Sequence, residues 1–210
     1  MKNKDLHWAA ANNKLALIVE LIEEGADINS INSYGKTALH RAVSYGHRDV
    51  INLLLGREVR LEIRDNNNGD IIEVRNLRLE QEASRDIKDK YGNTPLHQAA
   101  LSGIGELIPL LFSAENINQQ NYKGNTPLHF AVENAAIVNF LLSQGANLDI
   151  RNVEGKTPIH LAVQCGNLQT INAICQNNPD NIKLLTADGN TVFHEAIIYQ
   201  KYNRFCRICK

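Results

Sequence analysis

No stretch of this 210-residue chain is apolar over the ~20 positions a bilayer-spanning helix needs, so no membrane span is expected. Charge of one sign is missing as well. Lys and Arg number 22 against 23 Asp and Glu, for a formal net charge of -1. Without a global positive field there is no general attraction for nucleic acid or an anionic membrane, and neither is expected as a partner. Cysteine is scarce and confined: Cys165, Cys175, Cys206 and Cys209 all lie in the last quarter. A secreted disulfide scaffold would spread and crowd them, so free thiols in a reducing, cytoplasmic compartment are expected. Met1 to Ala11 carries Lys2, Asp5 and His7 but no apolar run or small-residue cleavage site, so it does not read as a secretory signal.

The usual marks of catalysis are absent too. There is no glycine-rich phosphate loop after a strand, no Gly-x-Ser-x-Gly and no carboxylate pair that stands apart from surface charge. Asp65 to Asp70 fails as a calcium loop. With Gly69 at the sixth position, Arg64 and Arg75 would occupy the first and last ligand positions. Cys206-Arg207-Ile208-Cys209 is a single half-site, whereas structural zinc wants four ligands. No metal or cofactor is expected.

What is present is repetition. Gly35-Lys36-Thr37-Ala38-Leu39-His40 returns as Gly92-Asn93-Thr94-Pro95-Leu96-His97 and Gly124-Asn125-Thr126-Pro127-Leu128-His129. It recurs again as Gly155-Lys156-Thr157-Pro158-Ile159-His160 and Gly189-Asn190-Thr191-Val192-Phe193-His194, while Leu6-His7-Trp8-Ala9-Ala10 is a glycine-free relic. The glycines are 57, 32, 31 and 34 residues apart, so three intervals share one period and the first holds an insertion. Glycine permits a positive-φ turn, Thr caps the helix that follows, and Pro at its first position loses no hydrogen bond. Leu and the next Ala or Val fall on one helical face, and the His ring is placed to bridge backbone groups of adjoining turns. A second apolar run follows, such as Val50 to Leu55 or Val138 to Leu142, and then a helix stop such as Gly25-Ala26-Asp27 or Gly145-Ala146-Asn147. Neither helix of a pair buries its face alone, so stacked neighbours must complete the core.

These phrases closely resemble the ankyrin repeat, whose consensus centres on the same Gly-x-Thr-Pro-Leu-His. The resemblance covers roughly residues 5 to 205 in about six units. It implies an all-α repeat solenoid of helix-turn-helix units with β-hairpin fingers along one edge and inner helices lining a concave face. The expected arrangement is a single domain over residues 1–210, with units near 1–31, 32–56, 89–120, 121–151, 152–185 and 186–210. The resemblance also implies a noncatalytic module that binds a partner protein through finger tips and inner helices. Six of the seven histidines (His7, His40, His97, His129, His160, His194) hold the repeat's own structural position, and His47 follows the inter-helix Gly46, which leaves none for acid–base chemistry.

Several departures carry expectations. Pro109 is placed inside a helix over Glu106 to Phe112 and should kink it. Unit four is two residues short between its helices, so Asn134 to Ile137 must turn tightly. The last unit has Val192 and Phe193 in place of Pro and Leu and room for only a short outer helix, Tyr202 to Lys210. The largest departure is an insertion at 57–88. Val59, Leu61 and Ile63 alternate with charge, Asn68-Gly69 signals a hairpin turn, and Ile72 and Val74 alternate again. The spacing predicts Ile63 opposite Val74, Arg64 opposite Glu73 and Glu62 opposite Arg75, with a bulge near Asn76. This extended inserted β-hairpin either packs on the adjacent repeat or serves as a partner-binding or dimerising arm.

In the family the binding positions flank the turn glycine and end the inner helix. Mapped here they include Tyr34, Lys36 and Tyr45, then Lys90, Tyr91 and Leu101, then Tyr122 and Lys123. Five of six tyrosines (Tyr34, Tyr45, Tyr91, Tyr122, Tyr199) fall on such positions, and tyrosine is enriched at binding hot spots. An aromatic, mildly basic edge suits an acidic or phosphorylated segment of a partner. Substituting Tyr34, Tyr91 and Tyr122 together with Ala is expected to abolish capture of the partner. A monomer is expected, with dimerisation through the hairpin as the other case. The family and the Asn-, Ile- and Lys-rich composition also fit a bacterial effector acting on host proteins. An alternative is a regulatory or targeting region of a larger enzyme, since the chain stops inside its last unit.

Overall fold

A computed structural model describes residues 2–57, 59–64, 71–77 and 83–198. The chain separates into two compact units, Met1–Ala99 with Pro109–Leu111 and Ala100–Ile108 with Phe112–Lys210.

In the first unit α1 (Lys2–Ala11) packs on α2 (Leu15–Glu23) and on α3 (Ala38–Ser44), which in turn packs on α4 (Arg48–Leu54). Each helix buries one stripe at helical spacing: Leu15, Ile18 and Leu21 on α2, and Val50, Ile51, Leu53 and Leu54 on α4. The helix α5 (Pro95–Ser102) repeats the design, with Leu96 and Ala99 fully buried. The short α6 (Ile108–Leu111) has Pro109–Leu111 in the first unit, and the second unit holds α7 (Pro127–Phe130), α8 (Ala135–Ser143), α9 (Pro158–Cys165) and α10 (Leu168–Asn177), with residues 192–198 helical again. The phrase residues Leu128 and Ile159 are fully buried, as Leu39 is in the first unit. The helical repeat reading therefore holds within each unit.

Two strands, β1 (Val59–Arg64) and β2 (Ile71–Leu77), pair antiparallel inside the insertion. Its ends meet, because the Ala83 amide donates to the Leu54 carbonyl at 2.7 Å, returning the chain to the end of α4. The register differs from the expected one. Ile63 lies opposite Glu73 and Glu62 opposite Val74, and the shift falls between Ile63 and Arg64 instead of at Asn76. The extra residue is thus absorbed beside the connection, and every pair beyond it moves by one position. The expected turn at Asn68-Gly69 lies outside the described residues, as do Tyr199, the expected helix from Tyr202 and the Cys206–Cys209 pair.

Two helix expectations are corrected. Pro109 kinks nothing, because the segment is a 3-10 turn over Gly105–Leu107 followed by the single α turn of α6, with proline in its first turn. There the missing amide costs no helical bond. In unit four the short linker is met by ending α7 after one turn in a 3-10 stretch, Ala131–Glu133. Asn134 then caps α8, its Oδ1 accepting from the amides of Ala136 and Ile137.

Candidate functional site

The phrase histidine is tied down on both ring nitrogens. In α3 the Thr37 amide donates to His40 Nδ1 at 3.3 Å, and the Thr37 hydroxyl lies 2.9 Å from the same nitrogen. Nδ1 is therefore an acceptor, which leaves the proton on Nε2. That nitrogen donates to the Asn93 carbonyl at 3.0 Å. His129 repeats the pattern with Thr126 and the Lys156 carbonyl, and His160 with Thr157 and the Leu184 carbonyl. The imidazole thus does the work of the Glu or Gln in an ordinary capping box. Its outer nitrogen also ties one repeat to the next within the same unit. Burial holds His40 and His160 below the ordinary imidazole range and lowers His129 to about 4, so all three are neutral near pH 7. His47 Nε2 donates to the Ala11 carbonyl at 2.9 Å. His194 keeps its Thr191 contacts but is exposed. Among the described residues no group of three or more His, Cys, Asp or Glu side chains is placed to hold a metal ion.

The expected β-hairpin fingers are turns without a strand ladder. Asn32 accepts the Tyr34 and Lys36 amides on Oδ1, at 2.9 and 3.1 Å. Asp89, Asn121 and Asn152 do the same for the amides two and four residues on. Side-chain oxygens take the donors a ladder would have used, so strands do not extend there. These Asx residues recur three places before the glycine of four units, a legible signal that glycine-centred reading passed over. Asn121→Ala is expected to cost about 1–2 kcal/mol in a denaturant titration, since two buried-edge amides lose their acceptor.

The turn glycine has a second reason beyond its φ of +70° at Gly35. A Cβ there would lie 2.6 Å from the Lys90 backbone nitrogen, whose amide donates to the Tyr34 carbonyl at 3.0 Å. Adjacent fingers stack backbone on backbone within the unit, and this brings their tips together. Lys90 places its ammonium 4.3 Å from the centre of the Tyr34 ring and 4.9 Å from that of Tyr91. Both tyrosines are about half exposed, at 56% and 55%. Arg41 lies over the Tyr45 ring at 5.1 Å, and that ring stacks on His47 with centroids 6.0 Å apart. Tyr34, Tyr45, Lys90 and Tyr91 are therefore brought into exposed aromatic–cation contacts. Lys36 is not among them, being half-buried with Nζ on Gln98 Oε1 at 3.2 Å.

In the second unit Tyr122 and Lys123 are exposed on their finger, and Leu101 is 59% exposed at the end of an inner helix. At the insertion Val59 is buried, and for Leu61, Ile63, Ile72 and Val74 the backbone alone is described.

Family models for ankyrin repeats match residues 6–55 ("many copies") and residues 63–152 and 133–208 ("3 copies"). The chain belongs to the ankyrin-repeat family. Ankyrin repeats generally mediate protein–protein interaction and are generally noncatalytic. Among similar proteins is an L-asparaginase of Dirofilaria immitis, 31% identical in an alignment of 153 residues that covers 67% of this chain and 26% of that protein. Another is transient receptor potential cation channel subfamily A member 1 of Homo sapiens, 32% identical over 63% of this chain and 13% of the channel. A third is E3 ubiquitin-protein ligase XBAT33 of Arabidopsis thaliana, 30% identical over 54% of this chain and 29% of the ligase. The chain thus spans less than a third of the length of each. Among the described residues no helix is long and apolar enough to cross a membrane.

Proposed function

We propose that this ankyrin region is a noncatalytic binding module that holds a partner protein by its finger tips and inner-helix ends. The observation that carries the reading is the exposed pair Tyr34 and Tyr91 around Lys90. Two rings that burial would stabilise stand half in solvent around an exposed ammonium, presenting rigid aromatic area and one positive charge. An acidic or phosphorylated segment of the partner suits this edge, with Tyr45 beside Arg41 extending it. In the second unit Tyr122, Lys123 and Leu101 offer further contact area. The affinity arises from occupancy alone, because the phrase histidines that could do acid–base chemistry are consumed by the caps. The protein acts in an intracellular, reducing compartment, in keeping with the free Cys165 and Cys175. Delivery into a host cell as an effector fits the family and the Asn-, Ile- and Lys-rich composition.

The test is affinity capture from cell lysates with wild type and with Tyr34→Ala/Tyr91→Ala, adding Tyr122→Ala in a third chain. The double variant is expected to lower the retained partner at least ~10-fold, about 1.4 kcal/mol of binding, with the melting temperature nearly unchanged. Equal capture by all three chains would sink the reading.

A second reading has its own observation. The relatives are long proteins named as an asparaginase, a channel and a ligase, of which the matched region is a minor part. On this reading the repeats regulate or target a larger protein, and residues beyond Lys210 in the full gene would favour it.

A further inference from the structure

Within the second unit the ends of three successive inner helices leave a groove of about 450 Å³. Its walls are apolar, from Leu101, Phe130, Val132 and Leu161, and Glu133 and Cys165 sit across it. The Glu133 backbone is pinned. Asn167 Nδ2 donates to the carbonyls of Val132 and Glu133 at 3.1 and 2.9 Å, and Asn134 Nδ2 donates to the Gly103 carbonyl at 3.1 Å. The Glu133 residue is exposed, and among the described residues its carboxylate accepts from the Cys165 thiol at 3.9 Å. Burial and that carboxylate hold the thiol above its ordinary range, so it contributes no charge. His129, which also lines the groove, is neutral near pH 7 because burial lowers it to about 4. Gln164, which also lines the groove, has its Nε2 engaged, donating to the buried Glu195 at 2.8 Å. Glu133 is thus the single charge among the groove's described residues, and no lysine or arginine among the described residues pairs with it.

We infer that this groove receives one basic side chain of a partner polypeptide, with Glu133 as counter-charge and the apolar walls covering the side chain's aliphatic stem. The inference rests on the interaction reading above and names the chemistry of one contact in it. A lysine or arginine matches the site at both ends. Its methylenes lie against Leu101, Phe130 and Leu161, and its cationic head reaches the carboxylate, where partial desolvation strengthens the pairing. An acidic side chain there would meet like charge, and an aliphatic one would leave Glu133 covered and unpaired.

The probe is a phage library of random dodecapeptides selected on the intact chain. Enriched sequences are then made as fluorescein-labelled peptides and titrated by fluorescence anisotropy. Enriched peptides are expected to share a lysine or arginine next to an apolar residue. Glu133→Gln, an exposed substitution whose folding is checked by its melting temperature, is expected to weaken them at least tenfold. Replacing the shared basic residue by uncharged citrulline or glutamine weakens them as much, and the two changes together add little more, the mark of a direct pair. Enriched peptides without a basic position, or ones indifferent to Glu133→Gln, overturn the inference. If such peptides lose affinity with Tyr34→Ala/Tyr91→Ala, the interaction reading stands without this contact. No enrichment on the wild-type chain overturns both.

Discussion

Taking the protein from pH 7 to pH 4 is expected to cost it about 3 kcal/mol of folding stability through His129 alone. Its imidazole falls from 6.5 to about 4 on folding because burial opposes the charged form. Above pH 6.5 both states are neutral and the stability is intact. As pH falls below 6.5 the unfolded chain takes up a proton that the folded chain refuses until about pH 4, so stability is lost across that window. His40 and His160 shift in the same direction for the same reason and deepen the loss. Urea titrations at half-unit steps of pH measure it. His129→Gln is expected to be less stable at pH 7, since it breaks the bonds to Thr126 and the Lys156 carbonyl, but to show a shallower pH slope. An equal slope in the two proteins would place the acid sensitivity elsewhere.

Gly124→Ala is expected to destabilise the second unit by about 3 kcal/mol or more, and Gly145→Ala by only about 1–2 kcal/mol. Both glycines have positive φ, +72° and +88°, so an alanine at either pays the left-handed backbone strain. They differ in what surrounds them. A Cβ at Gly124 would lie 2.8 Å from the Asn152 Cα and 3.0 Å from the Val153 nitrogen, whereas at Gly145 nothing lies within 4 Å. Backbone cannot step aside as a flexible side chain can, so the fingers must part and the bond from the Val153 amide to the Lys123 carbonyl is strained. Denaturant midpoints of the two variants separate the terms. Similar losses would mean that φ alone sets the demand for glycine.

The helices, their period and the buried stripe were legible because they follow from local chemistry. Thr before a helix, Pro at its first position and Leu at the inward place act over four residues of chain, and Leu39, Leu128 and Ile159 are buried as that pattern requires. The neutral, doubly bonded histidine was readable in outline for the same reason, since its Thr partner is three residues away. The places where reading failed depend on a single residue of slippage or on groups far apart in the chain. The strand register turned on where one extra residue is absorbed: the apolar residues of β2 change phase between Val74 and Leu77, so one register would pair Ile63 with Val74 and the adjacent one, which is adopted, pairs Val59 with Leu77. Pro109 looked like a helix breaker until the 3-10 turn before it made the proline a helix start.

The sequence by itself determined that this chain is a series of helix pairs with its histidines spoken for, because capping, turn and periodicity are short-range. Only the tertiary structure decided which polar groups are left to act outward. Lys36 and Lys90 both lie beside a turn glycine and its tyrosine in sequence, yet one is held by Gln98 and the other stands between two exposed rings. Glu133 and Glu195 are both inner-helix carboxylates, yet one is buried under two amides and the other faces an open groove. That difference comes from neighbours some thirty to sixty residues away, where packing brings side chains together and no local pattern records it.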